Sequence, residues 1–174
     1  GFSASDLVFL DESGCNTDMT RRYAYSFGGS RAVDSTPLSK PKNTTILSSI
    51  QLNGTLRYTT FSGGTTVERF KRYLETDLLP HLNGNSVLVM DNMKSHHAKA
   101  VKELLDSSGV RYIYLPPYSP DLNPIEKLWS KVKALLRKFK ARTLDALPNA
   151  IQNAFHSVTV SDCSGWFRFC GYAL

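Results

Sequence analysis

The sequence has few of the features that mark secreted, zinc-finger or membrane-spanning proteins. Its 174 residues include only 3 cysteines, without CxxC spacing, which argues against a disulfide framework or a cysteine-based zinc site. It contains neither an apolar run of about eighteen residues nor an apolar signal segment. Internal repeats and low-complexity segments are also missing. We therefore expect one globular domain over residues 1–174, without a membrane partner and in a reducing, cytoplasmic setting.

Acidic side chains are in the minority. The chain has 21 Lys and Arg against 15 Asp and Glu, which gives a net charge of +6 and an isoelectric point of about 9.3. Such an excess favours a polyanionic partner, and nucleic acid is the first candidate. Many stable domains are mildly basic, however, so the distribution of the charge matters more than its sum.

Hydrophobic patterning predicts an α/β domain with a mixed sheet. Apolar and β-branched runs predict strands at residues 7–11, 44–52, 56–61, 87–90 and 110–115. Helical periods cover residues 66–79, 97–107, 124–139 and 144–158. Asn53-Gly54 is a strong hairpin signal, and the helix between strands four and five makes those strands parallel. A five-stranded sheet with an antiparallel hairpin and parallel strands follows.

Two further segments have no regular period. Residues 12–41 form a Gly/Ser/Arg-rich connection that is long for a compact domain, and we interpret it as a partly ordered hairpin or flap. Residues 166–172 form a short aromatic tail that we expect to pack on the sheet.

Three of these elements each present one acid. Asp11 and Asp91 follow the first and fourth strands, which we expect to be neighbours, and Glu126 lies in the first turn of the helix at residues 124–139. Carboxylate oxygens are the ligands that hard divalent cations prefer. Glu12 should point to the opposite face of its strand from Asp11, so it is not expected to be a ligand.

Each acid also has an explanation without chemistry. Asp11 could belong to an Asx turn at the end of its strand, and Asp91 with Asn92 could form an ordinary turn. Glu126 could complete a capping box, with Asn123 at the N-cap of the helix and Pro124 at its first position.

The surroundings of the acids resemble a known family. The strings LDESG at Asp11, VMDN at Asp91 and LPPYSPDLNPIEKLW at Glu126 are similar to the catalytic domain of the IS630/Tc1/mariner superfamily of DDE transposases. The 34 residues between the last two acids match the interval typical of one branch of that superfamily. The strings RRY at residues 21–23 and CGYAL at the end of the sequence resemble its bacterial members.

The resemblance implies an RNase H-like fold and a two-metal site. By similarity Asp11 would bridge two Mg²⁺ ions about 3.5–4 Å apart, for which Mn²⁺ can substitute, and Asp91 and Glu126 would each complete one. The implied activity is hydrolysis at transposon ends, followed by attack of the freed 3′ hydroxyl on target DNA. The implied partners are double-stranded DNA and a second subunit, as a homodimer in the DNA complex. The helix-turn-helix region usual upstream is missing and the sequence begins with Gly1, so we expect a fragment.

Two other functions remain open. The domain could be an RNase H-like nuclease that only hydrolyses, or a domesticated DNA-binding module without catalysis. The three intact acids favour an enzyme over the module.

Lesser candidates follow Asp91 and Glu126. Beyond Glu126 the basic residues predicted to bind the DNA backbone are Lys127, Lys131, Lys133, Arg137 and Lys138. At helical spacing Lys133 and Arg137 fall on the flank beside Glu126, with Lys127, Lys131 and Lys138 on the other; the alternative is a solvated helix face. Asn92 and His97 are possible auxiliary residues near the metals. The histidines at 96 and 97 stand at a predicted helix start, where such residues usually face solvent or cap the helix.

Overall fold

The computed structural model describes residues 2–16, 43–140, 143 and 145–174. Its centre is one five-stranded sheet in the order β3-β2-β1-β4-β5. The strands are β1 Leu7–Asn16, β2 Asn43–Gln51, β3 Leu56–Ser62, β4 Val87–Met90 and β5 Arg111–Tyr114. β1, β2 and β3 are antiparallel to one another in turn, whereas β4 runs parallel to β1 and β5 runs parallel to β4. The predicted mixed sheet and RNase H-like architecture are confirmed.

Within the described part of the chain, five α-helices cover the two faces of the sheet. They are α1 Val67–Tyr73, α2 Lys99–Ser108, α3 Ile125–Phe139, α4 Leu147–His156 and α5 Val160–Phe169. One core joins Phe9 of β1 to α3, α4 and α5, and the other joins Val8 and Leu10 of β1 to α1 and α2. Because side chains alternate along a strand, Asp11 belongs to the α3 face and Glu12 to the α1/α2 face.

The hairpin between β2 and β3 forms where Asn53-Gly54 predicts it. Gly54 has φ +90°, and the Asn53 side-chain oxygen accepts a hydrogen bond from the Thr55 amide at 3.0 Å. A Cβ on Gly54 would lie 2.9 Å from a methyl carbon of Val160 in α5. Glycine is therefore required both by the turn and by the close approach of α5.

β1 is longer than predicted. It continues past Asp11 to Asn16, since each of these residues pairs with β2, from Asp11 opposite Ser48 to Asn16 opposite Asn43. Pairing with a neighbouring strand outweighs the low apolar content of DESGCN. The predicted flap falls mostly within residues 17–42, which lie outside the described residues.

Three helix predictions need correction, and one helix was not predicted. α1 ends at Tyr73 and is followed by a π-helical segment, Leu74–Leu78, within the predicted helix at 66–79. α2 begins at Lys99 rather than residue 97, because Lys94–His97 forms a separate 3₁₀ turn. α4 covers Leu147–His156, which is shorter than the predicted 144–158. α5 was not predicted, although the Thr159 hydroxyl and the Asp162 carboxylate form a capping box at its start.

The aromatic tail does pack on the sheet, as predicted, but its first part is helical. The ring of Phe167 in α5 lies 5.4 Å from that of Phe9 in β1, and the ring of Tyr172 lies 5.2 Å from it. Among the described residues, no helix combines the length and the apolar character needed to cross a membrane.

Candidate active site

Asp11 within β1 and Asp91 just after β4 lie side by side. β1 and β4 are parallel with Leu10 opposite Met90, so the next residue of each chain segment is one of the two acids. This confirms the prediction that they lie on neighbouring strands. Asp11 is only 6% exposed, and its carboxyl is within hydrogen-bonding reach of Asp91. On the α3 side, the indole Nε1–H of Trp129 donates to Asp11 Oδ2 at 3.1 Å.

Glu126 reaches the same place from the start of α3. The buried Asn123 side chain accepts a hydrogen bond from the Ile125 amide at 3.2 Å, while the Asn123 amide donates to the Pro120 carbonyl at 3.1 Å. The Asn123 amide is therefore already paired, and the capping box considered for Glu126 is wrong. The Glu126 carboxyl instead lies within hydrogen-bonding reach of Asp11.

An open cavity separates Asp91 from Glu126. It has a volume of about 270 Å³, and we call it the acid cavity. Its lining consists of Asp91, Asn92, Met93, Leu115, Pro116, Pro117, Tyr118, Ser119, Pro120, Asn123 and Glu126. A water molecule occupies about 30 Å³ in the liquid, so the cavity has room for a hydrated cation.

Burial and neighbouring charges shift the pKa values of all three carboxyls. Burial, followed by the negative charge of Asp91, raises the pKa of Asp11 to about 8. Burial and the charge of Asp91 also raise the pKa of Glu126. Burial alone would raise the pKa of Asp91, but the hydrogen bond and positive charge of His96 outweigh it, and that pKa is lowered.

These carboxyls fit a divalent cation. All three offer oxygen, the donor that Mg²⁺ and Mn²⁺ prefer, and burial together with the charge of Asp91 opposes ionisation of Asp11, as its raised pKa indicates. A cation at Asp11, Asp91 and Glu126 would remove that repulsion.

Sequence reasoning missed the role of His96. Far from facing solvent, its side chain is fully buried, with Nδ1 2.7 Å from Asp91 Oδ1 and Nε2 3.3 Å from Glu12 Oε1. Contact with these two acids raises the pKa of His96 to about 10 despite its burial. The prediction that Glu12 and Asp11 point to opposite faces is consistent with these contacts. The sequence did contain a signal for this contact. Glu12 lies at an inward-facing position of β1, and a buried carboxylate there needs a partner such as a histidine.

The two auxiliary candidates, Asn92 and His97, lie at different distances from the acid cavity. Asn92 lines the acid cavity directly. His97 stands behind it, where its Nε2–H donates to Asn92 Oδ1 and its ring stacks on Tyr114 with centroids 3.8 Å apart. His97 can therefore fix the orientation of Asn92 but does not line the cavity itself.

The basic residues of α3 have different surroundings. Lys133 and Arg137 line an open groove of about 390 Å³ together with Glu126, Trp129 and Ser130, and we call it the basic groove. Lys131 points elsewhere, because its Nζ lies 2.5 Å from Asp162 Oδ2 and donates to the Ser157 carbonyl at 3.0 Å.

The remaining two lysines lie outside the basic groove. Lys127 Nζ lies 4.1 Å from the centre of the Phe169 ring, and Lys138 is exposed. Among the five predicted DNA-binding residues, Lys131 is thus the one that forms a salt bridge within the described part of the chain, to Asp162.

Two curated transposases are similar to this chain in sequence. The Tc1 transposase of Caenorhabditis elegans is 29% identical over 97 residues, which are 53% of this chain and 36% of that protein. The Tcb2 transposase of Caenorhabditis briggsae is 32% identical over 75 residues, which are 43% of this chain and 28% of that protein. The chain therefore spans well under half the length of these relatives.

Solved structures show the same fold. The Mos1 transposase paired-end complex with the left transposon end superposes with a TM-score of 0.79 at 20% identity, over 95% of this chain and 52% of that one. The isolated catalytic domain of Mos1 mariner transposase gives a TM-score of 0.71 at 17% identity, over 95% of this chain and 76% of that one.

The family model described as DDE superfamily endonuclease matches residues 6–148. The match runs from just before β1 to the start of α4, and so includes all five strands and all three acids. The predicted resemblance is confirmed, and the chain belongs to the DDE superfamily of endonucleases.

Proposed function

We propose that this chain is the catalytic domain of a transposase that cuts DNA at transposon ends and joins the freed ends to target DNA. The observation that carries the proposal is the meeting of three carboxyls from different elements: Asp91 and Glu126 line the acid cavity, and Asp11 in β1 lies within hydrogen-bonding reach of both. The similarity to the Tc1 and Tcb2 transposases supports it.

The three acids would hold two Mg²⁺ or Mn²⁺ ions. Asp11 is within reach of both other carboxyls, which favours it as the shared ligand, with Asp91 and Glu126 each completing one ion. When bound, such a pair activates the attacking oxygen and stabilises the leaving oxygen of the phosphodiester. Mos1 complexes have been solved with Mn and with Mg, which supports the choice of ions.

Residues of the chain would orient both the acids and the DNA. The Trp129 indole holds one oxygen of Asp11, and the buried Asn123 fixes the first turn of α3 and thereby the direction of Glu126. Lys133 and Arg137 line the basic groove next to Glu126, where they can bind phosphates that flank the scissile bond. Asn92, whose side chain is held by His97, lines the acid cavity and would contact the DNA there.

Double-stranded DNA is the proposed partner, with a homodimer assembled on paired ends in the cytoplasm. The similarity in fold to the Mos1 paired-end complex and transpososome supports this assembly.

A strand-transfer assay tests the proposed function. Full-length protein is incubated with Mn²⁺, a precut end duplex carrying a free 3′ hydroxyl, and a supercoiled target plasmid. We expect end duplexes joined covalently to the plasmid. Nicked plasmid without joined product would instead identify a nuclease that only hydrolyses, and DNA binding without either product would identify a non-catalytic module.

The basic groove makes a separate prediction about DNA affinity. Replacing Lys133 and Arg137 together by Ala should weaken duplex binding and reduce the slope of log K against log salt by up to about 2, since each lost phosphate contact removes about 0.9. Fluorescence anisotropy of a labelled duplex across a salt series measures that slope.

Lys131→Ala is the matched control. Its charge is paired with Asp162, so this change should leave the salt slope as it is and lower the free energy of unfolding by at most about 1 kcal/mol, as for a partly exposed pair. If Lys131→Ala flattened the slope as much as the double variant, the basic groove would not be the DNA surface.

A further inference from the structure

A buried histidine connects Glu12, on the face of the sheet away from Asp11, to Asp91. His96 is fully buried and the Glu12 side chain is only 10% exposed. The ring has Nδ1 2.7 Å from Asp91 Oδ1 and Nε2 3.3 Å from Glu12 Oε1. The proposed cation site uses neither Glu12 nor His96, so their burial next to Asp91 needs its own explanation.

The contact with His96 selects one oxygen of Asp91. Oδ1 lies against His96 Nδ1–H and also accepts a hydrogen bond from the Met93 amide at 3.1 Å. Two donors occupy the two lone pairs of that oxygen. Oδ2 is therefore the Asp91 oxygen that stays available to a cation.

His96 is itself held from three sides. Its ring stacks on Phe70 of α1, with centroids 4.5 Å apart, and its carbonyl accepts a hydrogen bond from the Tyr114 hydroxyl at 2.7 Å. Glu12 closes the third side, and neither of its carboxylate oxygens has a hydrogen-bond partner among the described residues. A buried carboxylate is costly without a partner, so Glu12 depends on the nearby His96 ring.

The same three residues do not form a metal site of their own. Their ligand atoms lie within 4.8 Å of one another, as in a metal cluster. The two nitrogens of one imidazole point in nearly opposite directions, however, and here Nδ1 faces Asp91 while Nε2 faces Glu12. One cation cannot replace both contacts, whereas the ring can bridge the two acids.

We propose that His96, held by Glu12, is a positioning residue that turns Asp91 Oδ2 toward the cation. The inference rests on the proposed function, because it assigns Asp91 to the metal site. Groups that orient a metal ligand typically contribute about 10–100-fold to metal affinity or activity. His96 and Glu12 would act through Asp91 and would touch neither the cation nor the DNA.

Two substitutions of His96 separate positioning from packing. The Asn side-chain nitrogen sits close to the position of imidazole Nδ1, so His96→Asn can still donate to Asp91. The Gln nitrogen sits nearer to Nε2, so His96→Gln loses that donor at a similar loss of ring volume. We expect His96→Gln to weaken Mn²⁺ binding about 10–100-fold and His96→Asn to restore most of the affinity.

Free Mn²⁺ is measured by electron paramagnetic resonance with the full chain in the absence of DNA, so the readout does not require catalysis. Tyr112→Phe is the control, because it removes the exposed hydrogen bond that the Tyr112 hydroxyl donates to Asp106 and leaves the contacts of His96 and Asp91 described above in place, so it should bind Mn²⁺ like the parent. A folded His96→Gln protein with parental Mn²⁺ affinity would overturn the proposal.

If both His96 variants fail to fold, Glu12→Gln tests the positioning of Asp91 instead. It keeps the volume of the side chain but removes the charge that holds the ring, and we expect Mn²⁺ affinity to fall several-fold. Parental affinity in this variant would overturn the inference. A parent chain that binds Mn²⁺ but neither cuts nor joins DNA would contradict the proposed function alone, whereas a parent that binds no Mn²⁺ would contradict both.

Discussion

Glu126→Gln is expected to reduce DNA cleavage at least about a thousandfold while the protein still folds and binds DNA. The amide keeps the shape of the side chain but lacks the full negative charge that a divalent cation requires. Loss of one ligand removes several kcal/mol of stabilisation from the attacking or leaving oxygen. Because Glu126 does not form a capping box, α3 loses only a charge near its first turn, worth about 0.3–1 kcal/mol.

Nicking of supercoiled plasmid in Mn²⁺ measures the loss, and anisotropy with a labelled duplex checks binding. Asp121→Asn is the matched control, since Asp121 is exposed in the same Pro-rich turn but does not line the acid cavity. Parental cleavage by a folded Glu126→Gln protein would remove Glu126 from the proposed site. Loss of cleavage in both variants would point to a general effect of charge.

Local patterns predicted the sheet and the placement of the three acids well, because each depends on short segments. Asn53-Gly54 fixes its hairpin through backbone preference, and the apolar runs before Asp11 and Asp91 must be buried. Parallel pairing of those two strands then brings the acids together. Only that last step needs a contact between distant segments, the pairing of β1 with β4.

The features that escaped prediction depend on contacts between distant segments. The second half of β1 is mostly polar, and its strand conformation depends on pairing with β2. α5 has an exposed Val160 and Phe169, which blur its apolar period, and its burial depends on Phe167 meeting Phe9 of β1. His96 looks like a residue at a helix start until Glu12 and Asp91 are known to lie on either side of it.

Strand alternation gives the two neighbouring acids of β1 different surroundings. Asp11 points toward α3, where Trp129 and Glu126 meet it, and Glu12 points toward α1, where His96 stacks on Phe70. Asp11 and Glu12 therefore make contacts on opposite faces of the sheet. One acid would hold the cation, and the other would support the histidine that positions Asp91.

Asp11→Asn is expected to stabilise the metal-free protein while abolishing both cleavage and stabilisation by Mn²⁺. Burial of the carboxyl and the charge of Asp91 raise the pKa of Asp11 from 3.8 to about 8, so the metal-free native state favours the neutral acid. An amide is neutral at every pH and can accept the hydrogen bond that Trp129 donates to Oδ2. It can also donate to Asp91, as the protonated acid does.

The pH dependence follows from that raised pKa. A group with a higher pKa in the folded state contributes stability that is complete below its unfolded pKa of 3.8 and is lost as the pH rises through about 8. Asp11→Asn does not titrate, so its advantage over the parent should grow between pH 4 and pH 8. At pH 8 we expect at least about 1 kcal/mol, or roughly 2–4 °C in Tm for a chain of this size.

Calorimetry from pH 5 to pH 8, in chelator and in Mn²⁺, measures both effects. Mn²⁺ at about 100 times its Kd should stabilise the parent by about 2.7 kcal/mol, while Asp11→Asn, which lacks the proposed shared ligand, should gain little. Asp121→Asn, which changes an exposed acid, should differ from the parent by the same small amount at every pH. If the advantage of Asp11→Asn were equally small at pH 5 and pH 8, Asp11 would already be ionised in the folded protein, and the three carboxyls would not need a cation to remain together.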